Sequence, residues 1–89
     1  MNDKLVLITW NDAVEMEGGW HEIDTIKQHD LAICKSVGWI VSQDTKQIII
    51  MSTIEGDEYG GGVHAIPTDW CISIQPLTTY TSAHYNLKE

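Results

Sequence analysis

Arginine and phenylalanine are absent from this chain of 89 residues, and its basic side chains are five lysines. Thirteen acidic residues outnumber them and leave a formal charge of −8 at pH 7. Nucleic-acid binding draws most of its affinity from basic groups that displace counterions from phosphates, and specific recognition relies heavily on the arginine fork. The composition therefore argues against a DNA or RNA binder. Acidity of this kind suits docking on a basic protein surface, but it also simply keeps a small domain soluble.

Cysteine and long apolar segments are also scarce. Cys34 and Cys71 are the only cysteines, and each lies inside an apolar stretch, which is typical of buried free thiols rather than a disulfide framework. Wholly apolar runs, such as 5–8 and 48–51, reach only four residues, which is too short to span a bilayer. Because no signal-peptide pattern opens the sequence, we expect the reducing cytoplasm and no membrane association.

Short apolar segments predict five strands. They are KLVLITW, the alternating residues 31–41, QIIIMSTI, GVHAIP and WCISIQPL. A period of two indicates a strand. The run of isoleucines in the third segment is apolar on both faces, which indicates a central strand or one covered by the helix or a partner subunit. One short helix is expected in EIDTIKQHDLA, with Asp24 as its N-cap, and PTDW predicts a single helical turn. The pattern predicts a mostly β fold: a small, bent, antiparallel five-stranded barrel, SH3-like or Sm-like, with one short helix inserted after the first strand.

The length of the chain bounds its organisation. We expect a single small β-barrel domain over residues 1–78 and a flexible C-terminal tail over 79–89, because TTYTSAHYNLKE has no sustained period. Gly38 is expected to mark a bend or bulge in the second strand. A domain of this size buries a small core, so self-association into a homo-oligomer is expected to support it.

The segment IEGDEYGGGVH, residues 54–64, resembles a ligand loop at first sight. A phosphate loop needs backbone N–H groups that converge at a helix start, usually with a lysine nearby. Here Asp57 and Glu58 would repel a phosphate, and the VHAIP that follows predicts a strand. The segment is therefore predicted to be a β-hairpin whose glycines supply positive φ. Asp57, Glu58 and Tyr59 would form its projecting tip, here called the knob.

Catalytic and metal chemistry are poorly supported by the spacing of suitable residues. Calcium or magnesium ligands could be drawn from Asp57, Glu58, His64 and Asp69. The spacing of a calcium loop is absent, and no zinc spacing includes the cysteines. A cysteine nucleophile needs a nearby histidine and local positive charge, which an acidic strand protein does not favour. We therefore expect no enzyme activity, no cofactor and no metal.

The four tryptophans are many for so small a core. Tryptophan and tyrosine anchor interfaces and stack on nucleobases. Trp39 and Trp70 lie in alternating segments and are predicted to be mostly core, whereas Trp10 and Trp20 flank an acidic excursion and suit core cover and contact equally. The predicted partner-contact set comprises Trp10, Asp12, Glu15, Glu17, Trp20, Asp57, Glu58 and Tyr59.

Several short motifs give the chain a likeness to a known group. They are WNDA at residues 10–13, GW at 19–20, SVGWIV at 36–41, GG at 61–62 and IP at 66–67. Over roughly residues 5–77 this pattern resembles small uncharacterised proteins encoded by tailed bacteriophages. The resemblance implies a phage accessory protein acting in the cytoplasm of a bacterial host. It brings no established reaction and assigns no functional residue.

The leading hypothesis is a phage-encoded accessory protein that binds a bacterial host protein and inhibits or redirects it, in counter-defence or host takeover. An alternative is an oligomeric sponge that sequesters a small nucleotide immune signal. Its candidate ligand-binding residues are Lys35, Lys46, Gly60, Gly61 and Gly62. A second alternative is a minor virion or assembly component.

Overall fold

The computed structural model describes residues 4–77. The predicted tail at residues 79–89 lies outside the described residues. The elements in chain order are β1 (Leu5–Asp12), α1 (Ile23–Lys27), β2 (Ala32–Gln43), β3 (Gln47–Met51), β4 (Thr53–Glu55), β5 (Tyr59–Gly61), β6 (His64–Pro67), a 3₁₀ helix (Thr68–Trp70) and β7 (Cys71–Pro76).

Five strands form one antiparallel sheet in the order β6-β3-β2-β1-β7. These five strands correspond to the predicted segments, so the mostly β fold with one short α-helix is confirmed. The third segment, QIIIMSTI, is however divided at Ser52: β3 ends at Met51, and β4 pairs with β5 in a separate two-stranded sheet. The prediction that the sheet closes into a barrel is wrong. Among the residues that the structure describes, β6 and β7 stay at opposite edges of the sheet, and no ladder joins them. Closure requires the two edge strands to meet at a shared tilt and stagger, whereas each of these pairs on one side only.

The core lies on one face of the sheet, here called the core face. Successive side chains of a strand point to opposite faces, so β1 buries Val6 and Ile8, both at 0% exposure, together with Trp10. Isoleucines of β2, β3 and β6 complete the cluster: Ile40, Ile48, Ile50 and Ile66. Full burial of such an aliphatic side chain contributes about 1.5–3 kcal/mol. The opposite face, called the outer face, carries the odd-numbered residues of β1.

Gly38 is buried in β2 and pairs in register with Val6. The register shift between β2 and β3 lies further along, between Ile40 and Ser42, so the bulge predicted at Gly38 is displaced. A Cβ on Gly38 would stand 2.7 Å from the carbonyl oxygen of Met51. The glycine therefore permits close approach of β3, which is a tertiary requirement rather than a local one.

The helix α1 contributes nothing to the core: none of its residues is buried, and Ile23 is 70% exposed. Glu22 occupies the N-cap position without a side-chain cap bond, so the prediction of Asp24 as N-cap is wrong. Asp24 lies in the first turn instead, where a negative charge still interacts favourably with the helix dipole. The predicted single helical turn in PTDW is confirmed by the 3₁₀ helix.

Candidate functional site

The glycine-rich segment forms the predicted hairpin. Strand β4 pairs with β5, and the turn over residues 56–58 is closed by the N–H of Glu58, which donates to the carbonyl oxygen of Glu55 at 3.2 Å. Gly56 and Asp57 both have positive φ, at 61° and 79°. Two consecutive residues of positive φ define a type I′ turn, whose twist matches that of the paired strands. The knob is therefore held by backbone geometry.

Beside the hairpin lies a groove of about 310 Å³, here called the hairpin groove. Its lining consists of Val41, Ile49, Met51, Asp57, Glu58, Tyr59, Gly60 and Val63. Met51 is buried and Ile49 half-buried, whereas both carboxylates of the knob are exposed. The groove thus has an apolar interior and an acidic margin.

The aliphatic wall of this groove is the part that the sequence did not reveal. Val41 belongs to β2, whereas Ile49 and Met51 lie on the outer face of β3. Only the pairing of β2 with β3 brings Val41 next to Ile49 and below the knob. The signal in the sequence was the isoleucine run, which is apolar on both faces and indicated a central strand or one covered by the helix or a partner subunit. In the structure it is the hairpin that lies over this strand, with Gly60 next to Met51.

The acidic loop, residues 12–22, leaves the sheet at the end of β1. Glu15, Glu17 and Trp20 are exposed, and Trp20 is 102% exposed. One bond joins the loop to the segment after α1, where His29 Nε2 donates to the carbonyl oxygen of Val14 at 2.9 Å. A second lies within the loop, where His21 Nε2 donates to the carbonyl oxygen of Glu17 at 2.7 Å. These bonds give the loop a defined course although residues 13–22 form no strand or helix.

Trp10, which was also predicted as a contact residue, is 8% exposed and belongs to the core cluster. Its Nε1 donates to Ser36 Oγ at 3.0 Å, and the His64 ring meets it edge to face, with 5.4 Å between ring centroids. The indole N–H thus has its hydrogen-bond partner inside the protein, and Trp10 is removed from the predicted partner-contact set. Trp70, in contrast, was predicted to be mostly core, but it is 42% exposed at the end of the 3₁₀ helix.

Asp12, at the start of the acidic loop, is half-buried and borders a second groove of about 250 Å³. Trp70, Leu31 and Asp69 line that groove with it.

The two segments predicted to contact a partner, the acidic loop and the hairpin, begin at opposite ends of β1. The acidic loop follows Asp12, whereas the hairpin follows Met51, which is level with Leu5 through Trp39 of β2. An eight-residue strand spans about 26 Å, so these segments form two surfaces rather than one.

The residues of the nucleotide alternative are dispersed within one chain. Lys35 pairs with Thr9 on the outer face, and Lys46 precedes β3. The glycines at 60–62 follow the other end of β3, and a five-residue strand spans about 16 Å. A phosphate site made of Lys46 and these glycines would thus require more than one subunit.

Metal-ligating side chains do not converge in residues 4–77, where no group of three or more His, Cys, Asp or Glu residues could hold a metal ion. His64 packs on Trp10, Asp57 lies in the hairpin turn, and Asp69 borders the second groove. Both cysteines are free, and burial raises the pKa of the Cys71 thiol. That shift disfavours the thiolate at neutral pH.

Fold and site together define a small, mostly β protein with an open sheet and a hairpin beside an apolar groove. Comparison of the chain with protein-family models, with curated proteins and with solved structures finds no match. No helix in the described range is long and apolar enough to cross a membrane. The chemistry of the exposed segments is therefore the basis for a functional assignment.

Proposed function

We propose that this is a non-enzymatic binding protein that docks on a basic surface of another protein through the knob and the acidic loop. The observation that carries the proposal is the exposure of large aromatic side chains within acidic segments: Trp20 is 102% and Tyr59 68% exposed. Tryptophan and tyrosine are enriched at interface hot spots, because they bury a large rigid area on binding. Surrounding carboxylates would steer a basic partner and add specificity.

The biological setting follows from the resemblance to small tailed-phage proteins. In that setting the protein is a phage accessory factor in the cytoplasm of a bacterial host, where it inhibits or redirects a host protein during counter-defence or host takeover. The net charge of −8 supports a protein partner over direct contact with nucleic acid. Docking of this kind requires no cofactor or metal.

Removal of the knob's charge tests the proposal. We expect Asp57→Asn/Glu58→Gln to weaken the capture of host proteins at low salt, because both changes keep the shape of the side chains and remove their attraction to a basic partner. Asn also tolerates the positive φ at residue 57. The measurement is quantitative mass spectrometry after affinity purification of the tagged protein from expressing bacteria, with the melting temperature as a check on folding.

The matched control is Asp24→Asn/Asp30→Asn, which removes the same charge from exposed positions outside both contact segments. It should leave capture intact. Recovery of the same proteins in the same amounts with Asp57→Asn/Glu58→Gln would count strongly against the proposal.

The two alternatives have direct tests of their own. For the nucleotide sponge, the melting temperature is measured with a panel of cyclic and ADP-ribose nucleotides. If none of them shifts the melting temperature, the sponge hypothesis is excluded. For a virion or assembly component, mass spectrometry of purified particles would detect the protein. Because Lys46 and the 60–62 glycines lie at opposite ends of β3, the sponge would have to form its phosphate site across a subunit interface.

We also propose that the chain self-associates. Exposed aliphatic residues occupy the outer face of β2, where Ile33 and Val37 are 68% and 51% exposed. A second copy that covers this face would shield them, and apolar patches of this kind mark interaction sites.

The strand order, a four-strand meander with β7 added beside β1, supports an open relative of the SH3-like or Sm-like plan.

A further inference from the structure

We propose that the hairpin groove receives a lysine or arginine side chain of the partner protein. The aliphatic stem of that side chain would lie against the apolar wall, and its cationic head would meet the carboxylates of the knob. This inference rests on the proposed function and specifies the chemistry of the partner at the same site.

The groove suits a single long side chain in its size and lining. Its volume is about 310 Å³, at the lower limit of small-molecule sites, which span about 300–1,000 Å³. Val41, Met51 and Val63 offer aliphatic surface along it. Val41 and Val63 remain 53% and 64% exposed, so an occupant would remove apolar area from water. Lysine and arginine stems commonly lie on such surface while their charged ends stay in contact with water.

The charge at the margin selects a cation. Asp57 and Glu58 are the charged residues of the lining, so no basic side chain of the described chain contributes to it. Tyr59 adds an exposed ring, and aromatic faces attract ammonium and guanidinium groups. A phosphate or an acidic peptide would be repelled by both carboxylates, whereas a purely aliphatic side chain would leave them without a partner.

The hairpin is held against the sheet before any partner arrives. The N–H of Ser52 donates to the carbonyl oxygen of Gly61 at 3.1 Å. A Cβ on Gly60 would meet Met51 Sδ, and one on Gly62 would meet Ser52 Oγ. The contacts of Ser52 close the base of the hairpin, and the approach of Gly60 to Met51 places β5 against the groove floor. A preformed groove lowers the ordering cost of binding, which otherwise offsets the gain from so small a contact.

The first experiment uses small probes on the ¹⁵N-labelled protein. Nα-acetyl-lysine methylamide and its arginine counterpart are titrated by NMR, with the norleucine and citrulline derivatives as uncharged controls of similar shape. We expect shifts at Met51, Val63 and residues 57–60, with affinity about fivefold higher for each cation than for its control, as for one exposed ion pair. Asp57→Asn/Glu58→Gln should abolish that preference. Equal shifts with charged and uncharged probes, or shifts confined to other residues, overturn the inference.

The second experiment separates the groove from the knob. Val63→Trp narrows the groove and keeps both carboxylates, and Ile23→Trp, at a position 70% exposed on α1, adds the same indole elsewhere. Loss of partner capture with Val63→Trp but not with Ile23→Trp supports the inference. Capture that survives Val63→Trp and fails with Asp57→Asn/Glu58→Gln overturns the groove and leaves the proposed function intact.

If the lysine probe binds and neither groove nor knob variant changes capture, the cation chemistry stands and the proposed partner-binding function fails. The two claims can therefore fail independently.

Discussion

At the scale of single residues, Asp44 is an exposed carboxylate with a defined role in the fold. Its Oδ1 accepts from the N–H groups of Gln47 and Lys46, both at 2.8 Å, in the turn between β2 and β3. These backbone donors, Gln47 first, lower the pKa of Asp44 from its ordinary 3.8. The same turn is tied to the 3₁₀ helix, because Thr68 Oγ1 donates to the carbonyl oxygen of Asp44 at 3.0 Å.

The lowered pKa of Asp44 predicts a pH-dependent contribution to stability. Ionised Asp44 stabilises the fold above its unfolded-state pKa, and this contribution is lost as pH falls through the lower folded-state value. Asp44→Ala should lower the melting temperature at pH 7, by an amount that shrinks below about pH 4. Asp44→Asn, which keeps an acceptor oxygen, should lower it less. Circular dichroism melts at pH 7 and at several values below about pH 4 measure both, and a deficit independent of pH would contradict the assignment.

At the scale of secondary-structure elements, the sequence predicted strands well because their signal is local. Alternation and β-branched residues identified β1, β2, β3, β6 and β7, and turn residues identified the hairpin. The cap of α1 was misplaced by two residues, since Glu22 and Asp24 are both acidic and no core contact constrains where the helix begins. The close approach of β3 to Gly38 was not predictable, because it depends on a residue thirteen positions away, Met51.

Gly38→Ala tests that close approach. The added methyl would overlap the Met51 carbonyl oxygen and stand 3.2 Å from Ile50 Cβ, so β3 would have to shift. Overpacking of this kind costs about 1–3 kcal/mol, measurable as a lower urea midpoint. Gly61→Ala is the control, since a Cβ there meets nothing within 4 Å and no positive φ is lost. If the two substitutions lower the urea midpoint equally, the close approach at Gly38 is not the cause of the loss of stability.

At the scale of the whole molecule, the sheet is open and has one well-buried face. The core cluster occupies that face, while Ile33, Val37 and the walls of the hairpin groove leave aliphatic surface on the rest. A soluble monomer rarely keeps extended apolar patches uncovered. The outer face of β2 and the hairpin groove are therefore the places where association would bring the greatest gain.

Val37→Lys should weaken self-association, because it places a charge at the centre of the outer face of β2, opposite Leu7. Light scattering after size exclusion, over a range of protein concentrations, measures the mass. Gln28→Lys adds the same charge at the exposed end of α1 and serves as the control. A wild-type protein that stays monomeric at every concentration would contradict the proposed homo-oligomer.

The sequence by itself determined the strands, the hairpin and the acidic character of the knob. These depend on side-chain alternation, turn chemistry and charge, which neighbouring residues set. Tertiary structure decided that the sheet stays open, that Trp10 is buried while Trp70 is partly exposed, and that Val41 and Ile49 lie beside the knob. Each of these outcomes depends on which strands pair and in what register, and a pairing between distant segments leaves no periodic trace in either segment alone.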